Sequence, residues 1–384
     1  MKILIYTESF RPAVGGIERI TLELARGVAE WDAPDSNGEM FDVTLVTRTA
    51  AGATGDGKLP FRVVRRPSFC ELLALVRGTE VLHLAGPALI PLALGVALGK
   101  PVVIEHHGFQ AVCPNGQLFY APNQGLCEGH YMAGRYAKCL QCNIPVAGLA
   151  GSAKLLFLTP FRRWLSNCAA TNIAPTAWLA SVLNLRRTKS VYHGLSLTST
   201  NHPVLPVRPT FVFQGRLVST KGAEVLLEAA KQLHAEGLDF DIRIIGDGPE
   251  RSQLEAQAQS LGDCIQFLGH VSDDQLEKVL ADISAVAVPS LAGEVFGLVV
   301  AENMLRGKLL IVSNIGSLEE VIGTAGMVSP AGNVAALASC MRRVIEDPSL
   351  VLTLGAEARA RATQLFGVRN MVQSHVSIYQ EAGR

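Results

Sequence analysis

Neither sign of charge predominates in the 384-residue sequence, where Lys+Arg and Asp+Glu number 34 each. A nucleic-acid partner is therefore not expected, because no basic field exists to neutralise its phosphates, and any anion site has to be built locally. Charged residues are scarce, 18% against 48% hydrophobic, which removes the compositional case for long disorder and favours a large folded core. Two nucleotide signatures are missing. There is no Gly-x4-Gly-Lys-Ser/Thr run, and Gly246-x-Gly248 is followed by Arg251 where a dinucleotide fingerprint needs a third glycine. P-loop hydrolysis and hydride transfer lose support accordingly. The N-terminal run Lys2–Tyr6 is too short before Glu8 for a secretory signal. Leu84–Gly99, 16 residues with Pro87 and Pro91 inside, falls short of the roughly 20 a spanning helix needs and reads as a buried helix with its entry turn. A cytoplasmic protein is expected.

What the sequence does have is alternation. Short apolar runs and helix-length amphipathic segments follow one another through Lys2–Tyr6, Gly16–Trp31, Asp42–Val46, Glu80–Leu84 and Pro101–Glu105. This βαβ order specifies a parallel, doubly wound sheet. Residues 196–209, with Pro203, Pro206 and Pro209, read as a linker. The alternation restarts at Thr210–Gln214, Lys221–Glu236 and Phe240–Ile245, continues through Ala285–Pro289 and Phe296–Arg306, and gives way to helices beyond Gly332. The expected fold is α/β: one Rossmann-like domain at 1–195, a second at 210–366, and a C-terminal helix at 367–384 packing back toward the first. Two facing sheets of this kind leave a deep cleft between the carboxyl ends of their strands, where such folds bind ligands.

The most informative stretch runs from Pro289 to Glu302 and holds two carboxylates, Glu294 and Glu302, eight residues apart. A helix starting near Phe296 or Gly297 leaves Glu294 in the preceding loop and puts Glu302 inside an otherwise apolar helix, where a carboxylate needs a partner. The amides of Phe296, Gly297 and Leu298 lie at that helix's start, where unsatisfied donors and the helix dipole favour an anion such as a diphosphate. The first strand of the second half ends in Gln214-Gly215-Arg216 and leads to Lys221-Gly222, so Arg216 and Lys221 emerge where both can reach phosphate oxygens. Ordinary alternatives stay open: a helix-start acid, a salt-bridged core glutamate and a solvated basic loop.

The set Gly215-Arg216-Leu217, Lys221-Gly222, Gly246-Asp247-Gly248-Pro249, Glu294-x-Phe296-Gly297 and Glu302 resembles the nucleotide-sugar domain of glycosyltransferase family 4, the retaining GT-B enzymes of group 1. In the first half, Gly15-Gly16-Ile17-Glu18 is similar to that family's N-terminal glycine loop, and His107-Gly108 with Cys113-Pro114-Asn115-Gly116 resembles its active-site histidine segment. The resemblance implies an N-terminal acceptor-binding domain and a C-terminal donor-binding domain. It implies a retaining, metal-independent transfer of a hexosyl unit from a nucleoside diphosphate-sugar to a glycan or lipid-linked acceptor in cell-surface polysaccharide or glycoconjugate synthesis, with no cofactor. Arg216 and Lys221 would hold the diphosphate, Glu294 the sugar hydroxyls, Glu302 the ribose diol, and the Phe296–Leu298 amides the sugar and phosphate. Gly16 and Gly246 would complete the donor site, and His107 would act on the sugar or the acceptor proton. His193-Gly194 resembles the segment before the interdomain linker and suggests a hinge or cleft wall. Two departures, Arg306-Gly307-Lys308 in place of a Gly-x-Pro and Gly316-Ser317 in place of a glycine pair, blur the identity of the sugar. A GT-B epimerase or phosphorylase, or a non-catalytic nucleotide-sugar-binding protein, is the alternative.

Two features stand outside this set. Cys113, Cys127, Cys139 and Cys142 fall within 30 residues and offer a weak structural zinc alternative, against a plain acceptor-side loop or redox chemistry. Lys154–Leu165 mixes Phe157, Phe161 and Trp164 with basic residues. It reads foremost as a core helix with snorkelling ends, and otherwise as a patch for peripheral membrane contact.

Overall fold

The computed structural model describes residues 1–13, 15–32, 40–51, 56–123, 125–196 and 204–384. The chain divides into two compact units, Met1–Leu118 with Glu128–Ser196 and Phe366–Arg384, and Phe119–Cys127 with Leu197–Leu365. Half of the segment read as a linker (196–209), residues 197–203, lies outside the described residues.

The first unit carries β1 (Lys2–Thr7), β2 (Asp42–Thr47), β3 (Arg62–Arg65), β4 (Val81–Ala85) and β5 (Val102–Glu105). A short hairpin, β6 (Phe119–Tyr120) and β7 (Gly125–Leu126), belongs to the other unit, and β8 (Thr171–Ala174) and β9 (Thr188–Ser190) complete the first sheet. Its order is β3-β2-β1-β4-β5-β8-β9, all parallel. The second unit builds β10 (Thr210–Gln214), β11 (Asp241–Ile245), β12 (Ile265–Gly269), β13 (Ala285–Val288), β14 (Leu310–Ser313) and β15 (Met327–Ser329) into a parallel sheet ordered β12-β11-β10-β13-β14-β15. Parallel strands covered on both faces read as continuous apolar runs, and β13 (AVAV) and β14 (LIVS) are buried at every position.

Helices α1 (Gly16–Ala29), α2 (Phe69–Gly78), α3 (Leu89–Ala97), α4 (Tyr136–Cys168) and α5 (Ala177–Leu183) belong to the first unit. The second unit holds α6 (Ala223–Ala235), α7 (Arg251–Gln257), α8 (Asp273–Val279), α9 (Leu298–Leu305), α10 (Leu318–Ile322), α11 (Val334–Glu346) and α12 (Ser349–Leu365). Local chemistry sets several boundaries. Ser68 and Glu71 form a capping box at the start of α2, and the Asn333 side chain accepts from the Ala336 amide to start α11. The last helix, α13 (Val368–Ala382), returns to the first unit. It docks where glycine permits close approach: a Cβ on Gly27 would lie 2.4 Å from Val372, and one on Gly194 would lie 2.6 Å from the backbone of Val368.

The Leu84–Gly99 region forms α3 as expected, with Leu92 and Gly95 buried. The reading of Lys154–Leu165 as a core helix is corrected. In α4 the small polar residues Ser152, Thr159 and Ser166 are buried, and their hydroxyls donate to carbonyls four residues back. Phe157, Phe161 and Trp164 are 66%, 48% and 61% exposed. The arginines do not snorkel outward either: Arg163 donates to the Leu183 and Asn184 carbonyls, and Arg162 to that of Gln110. Carbonyls at the end of α5 bind Arg163 and the Gln110 carbonyl binds Arg162, while the aromatic side of the helix faces out.

Candidate donor site and a buried histidine cluster

In the second sheet the chain runs outward from β10 through β11 to β12, then returns to the other side of β10 at β13. The reversal leaves a crevice at the carboxyl ends of β10 and β13, the usual ligand site of doubly wound sheets. Lys221 arrives there from the turn after β10 and Glu294 from the loop after β13. Lys221 Nζ donates to Glu294 Oε1 at 2.5 Å, and the fully buried Ser290 hydroxyl donates to the same oxygen at 2.9 Å. The Glu294 main chain is fixed as well, because the Ser317 amide and hydroxyl donate to its carbonyl at 3.0 and 2.8 Å. Glu294 thus presents a carboxylate held by two donors, on a main chain fixed by Ser317.

Glycines bring these loops together. Gly222 adopts φ +69°, and a Cβ there would lie 1.9 Å from the Pro289 carbonyl oxygen. Gly246 (φ +127°) would place a Cβ 1.9 Å from the Gly215 carbonyl oxygen. No side chain fits at either position, so the sequence must carry glycine there. Gly297, at φ +81°, precedes α9, whose first amides, those of Leu298 and Val299, have no acceptor within the helix. The helix therefore starts one or two residues later than the sequence suggests, and Phe296 is 2% exposed. Arg216 is exposed at the end of β10.

Glu302 lies inside α9, with Arg306 Nη1 4.0 Å from its Oε2, while Arg306 Nε donates to Glu277 at 2.8 Å. The ordinary reading of Glu302 as an ion-paired helix residue thus has a physical basis, although its side chain keeps 15% exposure.

In the first unit His107 follows β5, and its imidazole is 6% exposed, with Nε2 3.8 Å from Glu105 Oε2. Burial pushes its pKa down to about 3, so the ring is neutral at pH 7. His193 stacks on it, ring centroids 5.2 Å apart. His106 points the other way, its Nε2 2.8 Å from Asn172 Oδ1, with burial lowering its pKa to about 4. Gly16 opens α1, and Gly15 before it has extended backbone. Cys113, Cys139 and Cys142 do not gather as a ligand set: among the described residues, Glu105, His107 and His193 form the one His/Cys/Asp/Glu group of three or more at mutual ligand distance. Ser290 and Glu105 escaped the sequence reading, since a buried serine and a strand-end acid carry no motif.

The family model described as glycosyl transferases group 1 matches residues 208–347, a span that includes Arg216, Lys221, Gly246, Glu294 and Glu302. Over that span the second unit is similar to the group 1 glycosyltransferases. Among curated relatives, the D-rhamnosyltransferase WbpZ of Pseudomonas aeruginosa is 36% identical over 161 residues, 41% of each chain. The 2-deoxystreptamine glucosyltransferase of Streptomyces kanamyceticus is 30% identical over 176 residues, 45% of each chain. The chain thus spans under half the length of these curated relatives. Anabaena HepE, solved in complex with UDP-glucose, superposes with a TM-score of 0.70 at 18% identity, covering 99% of this chain and 100% of that one. The likeness establishes the fold, the GT-B pair of parallel-sheet α/β domains expected from the sequence.

Proposed function

We propose that the chain is a retaining, metal-independent hexosyltransferase. It moves a hexosyl unit from a nucleoside diphosphate-sugar to a glycan or lipid-linked acceptor, in the synthesis of cell-surface polysaccharide or glycoconjugate. The observation that carries this reading is the Lys221–Glu294 pair at the β10/β13 crevice, inside the span that matches the group 1 family. A diphosphate at the start of α9 meets the Leu298 and Val299 amides and the dipole of the helix. Lys221 and Arg216 supply the positive charge that offsets the leaving group, which a metal would otherwise do. Glu294, already charge-neutralised by Lys221, accepts hydrogen bonds from the hydroxyls of the transferred sugar, and Glu302 from the ribose diol. HepE was solved with UDP and with UDP-glucose, in keeping with a donor of this class. His107, its pKa pushed down to about 3 by burial, enters the site as a neutral imidazole that acts on the sugar or the acceptor.

The acceptor end of the proposal rests on α4. This helix is broken at Gly148 (φ +66°) and buries its hydroxyl face while turning aromatics outward at spacings of four and three residues. By length and composition it is apolar enough to cross a membrane. The break at Gly148, the exposed Lys154 and the outward Phe157, Phe161 and Trp164 suit a helix lying in the membrane surface instead. We place the protein at the cytoplasmic face of a membrane, next to a lipid-linked acceptor.

The test is a panel of nucleoside diphosphate-sugars screened for thermal stabilisation, followed by turnover of the best donor with glycan and lipid-linked acceptors in excess chelator. Acceptor-dependent release of nucleoside diphosphate, with the donor's anomeric configuration kept in the product, supports the proposal. Donor consumption without acceptor, or an inverted product, refutes it.

A further inference from the structure

Glu105 is 1% exposed at the end of β5, and four imidazoles surround it. His193 Nδ1 lies 3.2 Å from its Oε1, and His83, His375 and His107 present Nε2 atoms 3.4, 3.6 and 3.8 Å from its Oε2. No lysine or arginine pairs with this carboxylate among the described residues. Glu105 Oε1 and the Nε2 atoms of His83, His107 and His375 are buried and lack any hydrogen-bond partner. Buried polar atoms in folded proteins are nearly always satisfied, so such a concentration in one place calls for a missing participant.

The tautomers say what it is. His375 Nδ1 lies 2.9 Å from the Met371 carbonyl oxygen, which can only accept, so Nδ1 carries the hydrogen. In the Nδ1–H tautomer the Nε2 lone pair faces a carboxylate oxygen, two electron-rich atoms that either a bound cation or a second ring proton reconciles. A cation between the groups removes that conflict.

We infer that Glu105, His107 and His193 form a binding site for a first-row divalent metal ion, with zinc as the ion it fits. Their ligand atoms all lie within 4.8 Å of one another. Zinc bonds of about 2.0–2.1 Å to nitrogen and oxygen put neighbouring tetrahedral ligands roughly 3.3 Å apart. His193 Nδ1 lies 3.2 Å from Glu105 Oε1 and His107 Nε2 3.8 Å from Oε2, so the two imidazoles approach different oxygens and a carboxylate that turns both toward the ion accommodates them. Two imidazoles and one carboxylate are a ligand set zinc takes readily, leaving a fourth position open. His83 and His375 line the Oε2 side, and Tyr379, whose hydroxyl is 3.0 Å from His83 Nδ1, sets the orientation of that ring. The ion ties the end of β5 to the segment preceding Leu195. It lies wholly within the first unit and has no part in neutralising the donor diphosphate. The inference does not depend on the proposed reaction.

The test is metal analysis of the full chain, prepared without a histidine tag and dialysed against metal-free buffer. About one zinc ion per chain is expected, and His193→Ala or Glu105→Gln lowers metal affinity roughly 10- to 100-fold. The Cys139→Ser/Cys142→Ser double variant retains the metal, which separates this site from the cysteines. Should the first two variants fail to fold, cobalt titrated into chelator-stripped wild-type protein decides. Weak visible absorption saturating at about one equivalent, without a near-ultraviolet thiolate band, supports the site. The inference is overturned by wild-type protein that holds no metal and gains no thermal stability from zinc or cobalt, as when an imidazolium supplies the charge. Full metal retention by both folded variants overturns it equally.

Discussion

Lys221 and Glu294 predict opposite responses to neutralisation, and the difference follows from their 2.5 Å contact. Lys221→Met removes a donor that binds a phosphate oxygen through a charge-assisted hydrogen bond, worth about 1.5–3 kcal/mol, or roughly a 10- to 150-fold loss of affinity. It also leaves the Glu294 carboxylate facing the diphosphate without its counter-charge, which places the loss toward the upper end of that range. Glu294→Gln keeps an oxygen to accept from Ser290 but frees Lys221 from its ion pair. Nucleoside diphosphate should then bind as tightly as to wild type or more so, while sugar transfer falls because the carboxylate that accepts from the sugar hydroxyls is gone. Isothermal titration with the free nucleoside diphosphate, run in chelator beside a turnover assay, reads both effects. Lys221→Met binding within twofold of wild type, or Glu294→Gln weakening the free nucleotide as much as Lys221→Met does, would refute the reasoning.

Three further outcomes are expected. Gly222→Ala meets both the strain at φ +69° and the Pro289 carbonyl, and should cost about 2–4 kcal/mol in urea unfolding; Gly237→Ala, at φ +82° with nothing within 4 Å, should cost only about 1 kcal/mol. His106 has its folded pKa lowered to about 4 by burial, so its stabilising contribution is complete above its unfolded value and is lost as pH falls from there toward 4. Between pH 7 and pH 5 that loss is about 2 kcal/mol, and His106→Gln should show a pH slope shallower by that amount. Replacing Phe157, Phe161 and Trp164 together with serine should reduce co-sedimentation with anionic vesicles roughly tenfold or more while sparing turnover of a water-soluble acceptor; unchanged vesicle binding would dismiss the membrane reading.

The fold was legible because parallel sheets announce themselves. The Thr210–Gln214 strand is found as read, and the Lys2–Tyr6 strand extends by one residue to Thr7. Lys221, Gly222 and Glu294 were legible because loop glycines and strand-end charges occupy fixed places in a doubly wound sheet. The start of α9 was misplaced because Gly297 takes the left-handed region, and glycine permits that without requiring it. Aromatics beside basic residues read as snorkelling ends argued for a core helix at Lys154–Leu165, and only the structure reveals that serine and threonine hydroxyls satisfied by their own helix take the buried side. The Glu105 cluster was invisible for a different reason. Its members come from β4, β5, the segment before Leu195 and α13, and no spacing along the chain relates His83, Glu105, His193 and His375.

A crystal structure of the full chain with a non-hydrolysed nucleoside diphosphate-sugar tests the central claim most directly. The diphosphate is expected at the start of α9, with an oxygen about 3 Å from Lys221 Nζ and the hexose against Glu294. A donor bound with its diphosphate elsewhere, leaving the Lys221–Glu294 crevice closed, would contradict it.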